Sequence, residues 1–529
     1  MTKKILIIRL GSLGDIILTS APVINLKIHY PDSRLTFLCK ERYRPVVELI
    51  EGVDEIVTLP ENISAAAYYN FILELDNHNF DIVVDLHRNF RSWLARKLIT
   101  ADQTVTYPKR RYGRLAAVRR KVIPKQWPHT VDLYNYGIAS LGVKSFCSRP
   151  VLRTANATIE DEIRRFIDSN EHFIVVAPGA AHSNKQWPLE RFSETARRIH
   201  RSQKLGVVWA ITSADREGVS PSDDIARECF LEVVDYPVRA LASLISLASV
   251  TIANDSGIAH LSSAIGTPVV AIFGPTHPVL GFAPRGLYDV VVEVDEYCRP
   301  CSLHGRKPCY RDQRYCLERI EAATVVTRVL DVLRSTRGRA RAAFVDRDGT
   351  VIVDKHFLSD PDLVEFEDGS IEALRVLKEQ GFKVIVISNQ SGVARGLFDL
   401  DAVENVNHRL LELVAEQKVG IDGIHYCPHH PSGTVNLYIK DCRCRKPAPG
   451  MAEEAAYQLG LDLRKSYVIG DKIDDINLAR VIGATPILVR SGYGRKSEDE
   501  ITERGFHSNM LIADNLLEAA RSIVASEKT

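Results

Sequence analysis

The stretch Ala343-Phe344-Val345-Asp346-Arg347-Asp348-Gly349-Thr350-Val351 is a short apolar run ending in two acids spaced i and i+2, then Gly-Thr. In an extended chain, residues two apart point to the same side, so both carboxylates can enter one pocket where a strand ends. One carboxylate can then attack while the second moves a proton, and the pair also suits a hard cation such as Mg2+. Asp-x-Asp-Gly also occurs in calcium loops and plain turns, so the two acids need chemical partners elsewhere in the chain before they define a site.

Three such segments occur in order. Phe382-Lys383-Val384-Ile385-Val386-Ile387-Ser388-Asn389-Gln390 is an apolar run ending in a hydroxyl. Arg445-Lys446-Pro447 supplies cations, and Ser466-Tyr467-Val468-Ile469-Gly470-Asp471-Lys472-Ile473-Asp474-Asp475 ends a strand in carboxylates. Nucleophile, acid/base, phosphate-binding donors and Mg2+-holding acids are the parts that phosphoryl transfer to an aspartate requires. These segments resemble the haloacid dehalogenase superfamily. The resemblance implies Asp346 as nucleophile and Asp348 as general acid/base. It implies Ser388, Asn389, Arg395, Arg445 and Lys446 as phosphate and substrate ligands. Mg2+ would be held by Asp346, Asp471 and the Asp348 main-chain carbonyl, with Asp475 supporting the site and Asp474 a helix N-terminal charge.

Cys427-Pro428-His429-His430 precedes Cys442-Arg443-Cys444. Three thiols and an imidazole in so short a span fit a closed tetrahedral zinc site of Cys427, His429, Cys442 and Cys444, with His430 the weaker candidate. The segments around Asn389–Gly396, Tyr426–Pro431 and Cys442–Met451 resemble the D-glycero-D-manno-heptose 1,7-bisphosphate 7-phosphatases across residues 341–529. Histidinol-phosphate phosphatases carry a comparable loop. A histidinol phosphate or another small phosphomonoester is therefore the alternative substrate, alongside a transferase of different sugar specificity.

The chain is too long for one core: 529 residues predict two to four domains. A hydrophobic content of 45%, 26% charged residues and a net charge of +1 describe an ordinary globular chain, not a polyelectrolyte. No run of about twenty apolar residues predicts a membrane span. The first residues are broken by Arg9 too early for a secretory segment, so the expected location is cytoplasmic.

Ile5-Leu6-Ile7-Ile8-Arg9-Leu10 reads as a strand, turned by Gly11-Ser12-Leu13-Gly14-Asp15 into a helix predicted from Ile16 to about Ile28. Strands at 35–39, 56–59 and 81–86 alternate with helical stretches, which implies a parallel, doubly wound sheet. A second such unit begins near Ala155, with Phe173–Ala180, Val207–Ile211, Ser249–Leu261 and Val269–Thr276 as strand-and-turn segments. Asn254-Asp255-Ser256-Gly257 opens a helix whose free N–H groups could take a diphosphate. Two tandem units leave a cleft between them.

Gly11-Ser12-Leu13-Gly14-Asp15, Lys185-x-Trp187-Pro188 and Asn254-Asp255-Ser256-Gly257-x-x-His260-Leu261 resemble glycosyltransferase family 9, the ADP-heptose:lipopolysaccharide heptosyltransferases, over residues 4–332. The resemblance implies the GT-B fold, Asp15 as the base on the acceptor, and Lys185 facing the leaving diphosphate. Asp255, Ser256, Gly257 and His260 would line the nucleotide-sugar pocket. Ile211–Glu217 departs from the glycine-rich turn of that family. The implied partners are heptose bisphosphate, ADP-heptose and a lipid-linked lipopolysaccharide core acceptor, with peripheral contact at the cytoplasmic face of the inner membrane.

The expected fold class is therefore α/β: two Rossmann-like GT-B lobes (1–154 and 155–333), a basic connector (334–341) and a Rossmann-like HAD phosphatase domain with a zinc loop (342–529). Two features stand outside that assignment. Lys109, Arg110, Arg111, Arg114, Arg119, Arg120, Lys121 and Lys125 form a basic block without an acid, read as a solvated face or an anion-attracting rim. No aromatic-rich surface accompanies it, so no nucleic-acid partner is expected. Cys298, Cys301, Cys309 and Cys316 have a spacing that allows a second structural metal.

Overall fold

The computed structural model describes residues 2–122, 126–153, 160–213, 225–503 and 510–526. The chain divides into two compact units, Met1–Arg337 and Gly338–Thr529.

The first unit holds two parallel sheets. One comprises β1 (Lys4–Ile8), β2 (Arg34–Lys40), β3 (Glu55–Leu59), β4 (Ile82–Asp85) and β5 (Gln103–Thr106), ordered β3-β2-β1-β4-β5. The other comprises β6 (Phe173–Ala177), β7 (Gly206–Ile211), β8 (Phe230–Val234), β9 (Val250–Asn254), β10 (Val269–Ile272) and β11 (Val290–Val292), ordered β11-β10-β9-β6-β7-β8. Central strands are apolar without alternation because helices cover both faces; Ile5 to Ile8 are all fully buried. Strand order reverses beside β1 and β4, and again beside β6 and β9, where crevices open at the carboxyl ends. Gly11–Asp15 follows β1, Pro178–Lys185 follows β6, and Asp255 follows β9, so these segments meet at such crevices.

The helix expected from Ile16 to Ile28 is two helices, Leu13–Ile17 and Ser20–His29. Thr19 and Ser20 donate their hydroxyls to the Ile16 and Ile17 carbonyls at 2.6 and 2.8 Å, competing with the helical bonds, and Pro22 occupies the next first turn. The lobe boundary at 154/155, the end of the Ile211–Glu217 segment and Lys125 lie outside the described residues. The connector is shorter than expected: its first residues belong to the helix Ala322–Thr336, and the Ala340 N–H already bonds to the Gly460 carbonyl at 3.1 Å.

The second unit is built on β12 (Ala342–Asp346), β13 (Lys383–Asn389), β14 (Gly423–Cys427), β15 (Tyr467–Gly470), β16 (Thr485–Val489) and β17 (Leu511–Ala513). Its parallel order is β14-β13-β12-β15-β16-β17, so β12 is central. Ala343 and Val345 face one apolar core while Ala342 and Phe344 face the other. The α/β class and its two doubly wound halves agree with the sequence reading. Among the described residues, no helix is long and apolar enough to cross a membrane.

Candidate active sites

In the second unit, parallel pairing puts the ends of β12, β13 and β15 side by side. That register brings Asp346, Ser388 and Asp471 to one edge of the sheet. The strand ends at Asp346, so Asp348 does not continue the pleat. A turn carries it instead, with Gly349 at φ +85° and its N–H bonded to the Ile352 carbonyl at 2.7 Å. A side chain at Gly349 would strike the Asp471 carboxylate, and the positive φ independently favours glycine.

Lys446 is buried and makes three contacts. Its Nζ lies 2.7 Å from Asp346 Oδ1 and 2.6 Å from Asp475 Oδ1, and donates to the Ile387 carbonyl at 2.9 Å. Asn389 fixes the Lys446 backbone by accepting its N–H at 3.0 Å and donating to its carbonyl at 3.2 Å. Both ends of the Asn389 amide are thereby engaged with the Lys446 main chain. Burial alone would raise the Asp346 carboxyl; Lys446 and the more distant Lys472 bring it below the ordinary carboxylate range. The carboxylate form is therefore favoured.

Asp348 accepts from the Gln390 amide at 2.8 Å and the Ser388 hydroxyl at 3.3 Å, while Arg347 Nη2 lies 3.1 Å away. Gln390 and the Arg347–Asn407 bond (2.8 Å) behind it escaped the sequence reading. Gln390 sits two residues beyond Ser388, which was a signal available in the chain. Arg395 and Arg445 reach the loop instead: Arg395 Nη2 is 3.4 Å from His430 Nε2, and Arg445 donates to the His429 carbonyl at 3.3 Å.

Asp346, Asp471 and Asp475 bring one carboxylate oxygen each within 4.8 Å of one another. Asp475 is already engaged by Lys446 and by the Lys472 N–H at 3.2 Å. Asp471 Oδ1 is buried with no hydrogen-bond partner among the described residues, while its other oxygen accepts from the Tyr493 N–H at 2.8 Å. Burial and the neighbouring Asp346 charge push the Asp471 carboxyl up. An oxygen-rich cluster with an orphaned acceptor and mutual repulsion fits a divalent hard cation.

The thiols of Cys427, Cys442 and Cys444 lie 3.2–3.4 Å apart, and His429 Nδ1 is 3.2 Å from Cys444 and 3.5 Å from Cys427. These spacings approach the ~3.7 Å edges of a tetrahedron with sulfurs about 2.3 Å from its centre, as zinc requires. His430 points elsewhere, accepting the Ser432 N–H at 3.0 Å. Cys298, Cys301 and Cys309 lie near enough to Cys316 to help raise its thiol, but no three of the four sulfurs come within 4.8 Å of one another. Cys316 is packed in the apolar core, while Cys301 and Cys309 direct their thiols to the Pro275 and Gln313 carbonyls at 3.7 and 3.6 Å.

In the first unit, Asp15 lines a cleft of about 1460 Å³. Arg9 Nη2 is 2.5 Å from Asp15 Oδ2, and the Ser12 hydroxyl donates to the same oxygen at 3.0 Å. Burial would raise the Asp15 carboxyl; Arg9, Ser12, His304 and His260 together bring it below its ordinary value. His260 is buried and packs on Gly14, where a Cβ would approach its ring to 2.6 Å. Burial is the main cause that lowers its pKa. Gly257 likewise admits Leu13 at a distance a side chain would forbid. Lys185 Nζ pairs with Asp255 Oδ2 at 2.6 Å, and that oxygen also accepts from Thr276 at 2.7 Å. Ser256 Oγ is buried without a hydrogen-bond partner among the described residues, just before the helix Gly257–Ile265. Lys109, Arg111 and Arg114 of the basic block line the same cleft. Arg114 is not solvated: it is buried with its guanidinium 4.4 Å from the Phe282 ring centroid.

Fold and site together define the second unit as a phosphatase domain of the haloacid dehalogenase type; the first unit is a pair of doubly wound parallel sheets with a large cleft. The glycosyltransferase family 9 (heptosyltransferase) model matches residues 68–308, and a HAD-hydrolase-like model matches residues 443–519. The chain is 44% identical over 161 residues to the D-glycero-β-D-manno-heptose-1,7-bisphosphate 7-phosphatase of Yersinia pestis, covering 30% of this chain and 85% of that protein. It is 44% identical over 152 residues to the phosphatase of the same name from Escherichia coli K12, covering 28% of this chain and 80% of that one. Through its second unit the chain belongs to this heptose-bisphosphate phosphatase family. A family 9 glycosyltransferase structure from Veillonella parvula shares the fold of the first unit, at 23% identity and a TM-score of 0.51, covering 63% of this chain and 97% of that one.

Proposed function

We propose that the chain carries two activities of lipopolysaccharide-core heptose metabolism. In the second unit, an Asp346 oxygen attacks the phosphorus of the 7-phosphate of D-glycero-D-manno-heptose 1,7-bisphosphate. The bond from phosphorus to the sugar oxygen breaks as Asp348 delivers a proton to that oxygen. Asp348 then takes a proton from water, which displaces Asp346 from the phosphoryl group and releases inorganic phosphate. Lys446 and Ser388 offset charge on the phosphoryl oxygens, with Asn389 holding Lys446 in place and Arg395 and Arg445 at the substrate rim. Asp346, Asp471 and the Asp348 carbonyl would hold Mg2+, which when bound neutralises phosphoryl oxygens. Cys427, His429, Cys442 and Cys444 would hold a structural Zn2+.

In the first unit, Asp15 accepts the proton of the acceptor hydroxyl, whose oxygen bonds to the heptose anomeric carbon as the bond to ADP breaks. Lys185, Asp255, Ser256, Gly257 and His260 line the donor side. The acceptor is a lipid-linked lipopolysaccharide core, met at the cytoplasmic face of the inner membrane. Lys109, Arg111 and Arg114, which line the cleft, suit its anionic groups.

The observation that carries this reading is the contact of Asp346 with Lys446 at 2.7 Å, in the unit that holds the HAD-hydrolase-like match. The test is phosphate release with Mg2+ from the heptose bisphosphate and from histidinol phosphate. The heptose substrate should be turned over far faster. Equal or reversed preference in zinc-loaded protein would remove the heptose assignment. Transfer is followed separately, as ADP release from ADP-heptose with an acceptor.

A further inference from the structure

The loop between Cys301 and Cys316 lies outside both sheets of the first unit, and its sequence drew attention only to cysteines. It is nonetheless bound to the turn that carries Lys185. Asn184 donates its amide to the Lys307 carbonyl at 2.9 Å, and Arg314 donates to the Ser183 and Gln186 carbonyls at 2.7 and 3.1 Å. Gly305, at φ +74°, lies flat on the Lys185 stem, where a Cβ would come within 2.3 Å of Lys185 Cγ. Loop and turn therefore form one piece of wall, and Leu303, His304 and Arg306 line the cleft beside Lys185.

The charge on that wall does not balance a diphosphate. Lys185 is already paired with Asp255 at 2.6 Å, so the pair is neutral as a unit. A departing nucleoside diphosphate carries several negative charges and needs more than one cation. Arg306 is exposed to the cleft and forms no ion pair or hydrogen bond among the described residues. Its planar guanidinium can take two phosphate oxygens at once, and an unpaired cation held ready in solvent loses little on meeting an anion.

We propose that Arg306 is a donor-binding residue of the transferase site, placing its guanidinium on the diphosphate of the nucleotide-sugar. This rests on the donor reading given above. The loop from Cys301 to Cys316 then serves to carry Arg306, and Gly305 serves to lay it against Lys185. His304, which faces Asp15 across the same cleft, keeps its place by that arrangement.

The experiment is calorimetric titration of the full chain with ADP and with AMP, for the unaltered protein, Arg306→Ala and Arg306→Lys. Arg306→Ala should weaken ADP by about tenfold and AMP by much less, with Arg306→Lys recovering part of the loss. The KM for the donor should rise with the ADP dissociation constant while the unit's thermal midpoint stays in place. Unchanged ADP binding in Arg306→Ala would overturn the proposal. Equal loss of ADP and AMP would also overturn it, since that marks a displaced loop. If the unaltered protein binds neither nucleotide, the donor reading itself fails and Arg306 falls with it; that outcome differs from normal ADP binding that ignores Arg306.

Discussion

Both units set a carboxylate at or beyond the carboxyl end of a central strand and hold it against a buried cation, but they recruit the cation differently. Asp346 meets Lys446, a hundred residues away, at 2.7 Å, inside a pocket where both side chains are nearly solvent-free. Asp15 meets Arg9, six residues earlier in its own strand-turn segment, at 2.5 Å, and keeps 24% of its side chain exposed to a wide cleft. The phosphatase pocket has to fix one small, constant group, so its cation can be shared with Asp475 and a main-chain carbonyl. A base that must reach hydroxyls on large acceptors needs room, and a local partner leaves the opposite wall free. Long-range assembly makes the first site dependent on its loop; local assembly makes the second dependent on its strand.

That contrast predicts a ranking of lesions. Asp346→Asn keeps the shape and removes the attacking oxygen. Phosphate release should fall by at least about 10³-fold while ADP binding by the first unit stays unchanged. Residual turnover above one per cent would deny Asp346 the covalent role. Asp15→Asn should cost about 10²-fold in transfer, since a general base contributes less than a nucleophile, and should leave phosphate release intact. A transfer rate that does not move would shift the base to another cleft group.

The two sites were unequally legible in the sequence. Asp346, Ser388 and Asp471 are read easily because each sits at the end of an apolar strand, and the parallel register β13-β12-β15 converts sequence order into adjacency. What escaped was how those residues are held. Gln390 and Asn407 act through side-chain amides, which in a sequence look like any surface amide. The pairing of Lys446 with Asp475 requires a loop and a helix start to meet. Extrapolating the pleat through Asp348 failed for a different reason, because Gly349 turns the chain immediately after the strand. In the first unit the motif residues Asp15, Lys185 and Asp255 were visible. Arg306 was not, since only the fit of Gly305 on Lys185 brings it to the cleft. Spacing alone also could not say how Cys298, Cys301, Cys309 and Cys316 are placed: they lie near one another, with Cys316 packed in the apolar core.

A milder lesion probes the long-range half of the comparison. Asn389→Ala removes both bonds to the Lys446 main chain without touching Asp346. Two hydrogen bonds of about 1 kcal/mol each bound the effect, so phosphate release should fall by roughly tenfold, chiefly in kcat. A change confined to KM would make Asn389 a substrate ligand and not a support for Lys446.

The smallest effect tests the local half. Burial pushes the Asp15 carboxyl up, and Arg9 is the strongest of the groups pulling it back below its ordinary value. The unprotonated carboxylate is the form that accepts the acceptor proton, so transfer should fade on the acid side only as pH drops through that lowered pKa. Arg9→Lys keeps a buried cation but cannot span both the Leu86 carbonyl, which Arg9 reaches at 2.6 Å, and Asp15. With the pull weakened, burial gains weight and the carboxyl titrates higher. The acid limb of the transfer profile should therefore move to higher pH, with little change on the neutral plateau. The pH profile of phosphate release, set around Asp346 and Lys446, should stay where it is. An acid limb that moves down, or does not move, would mean that Arg9 orients Asp15 without setting its charge.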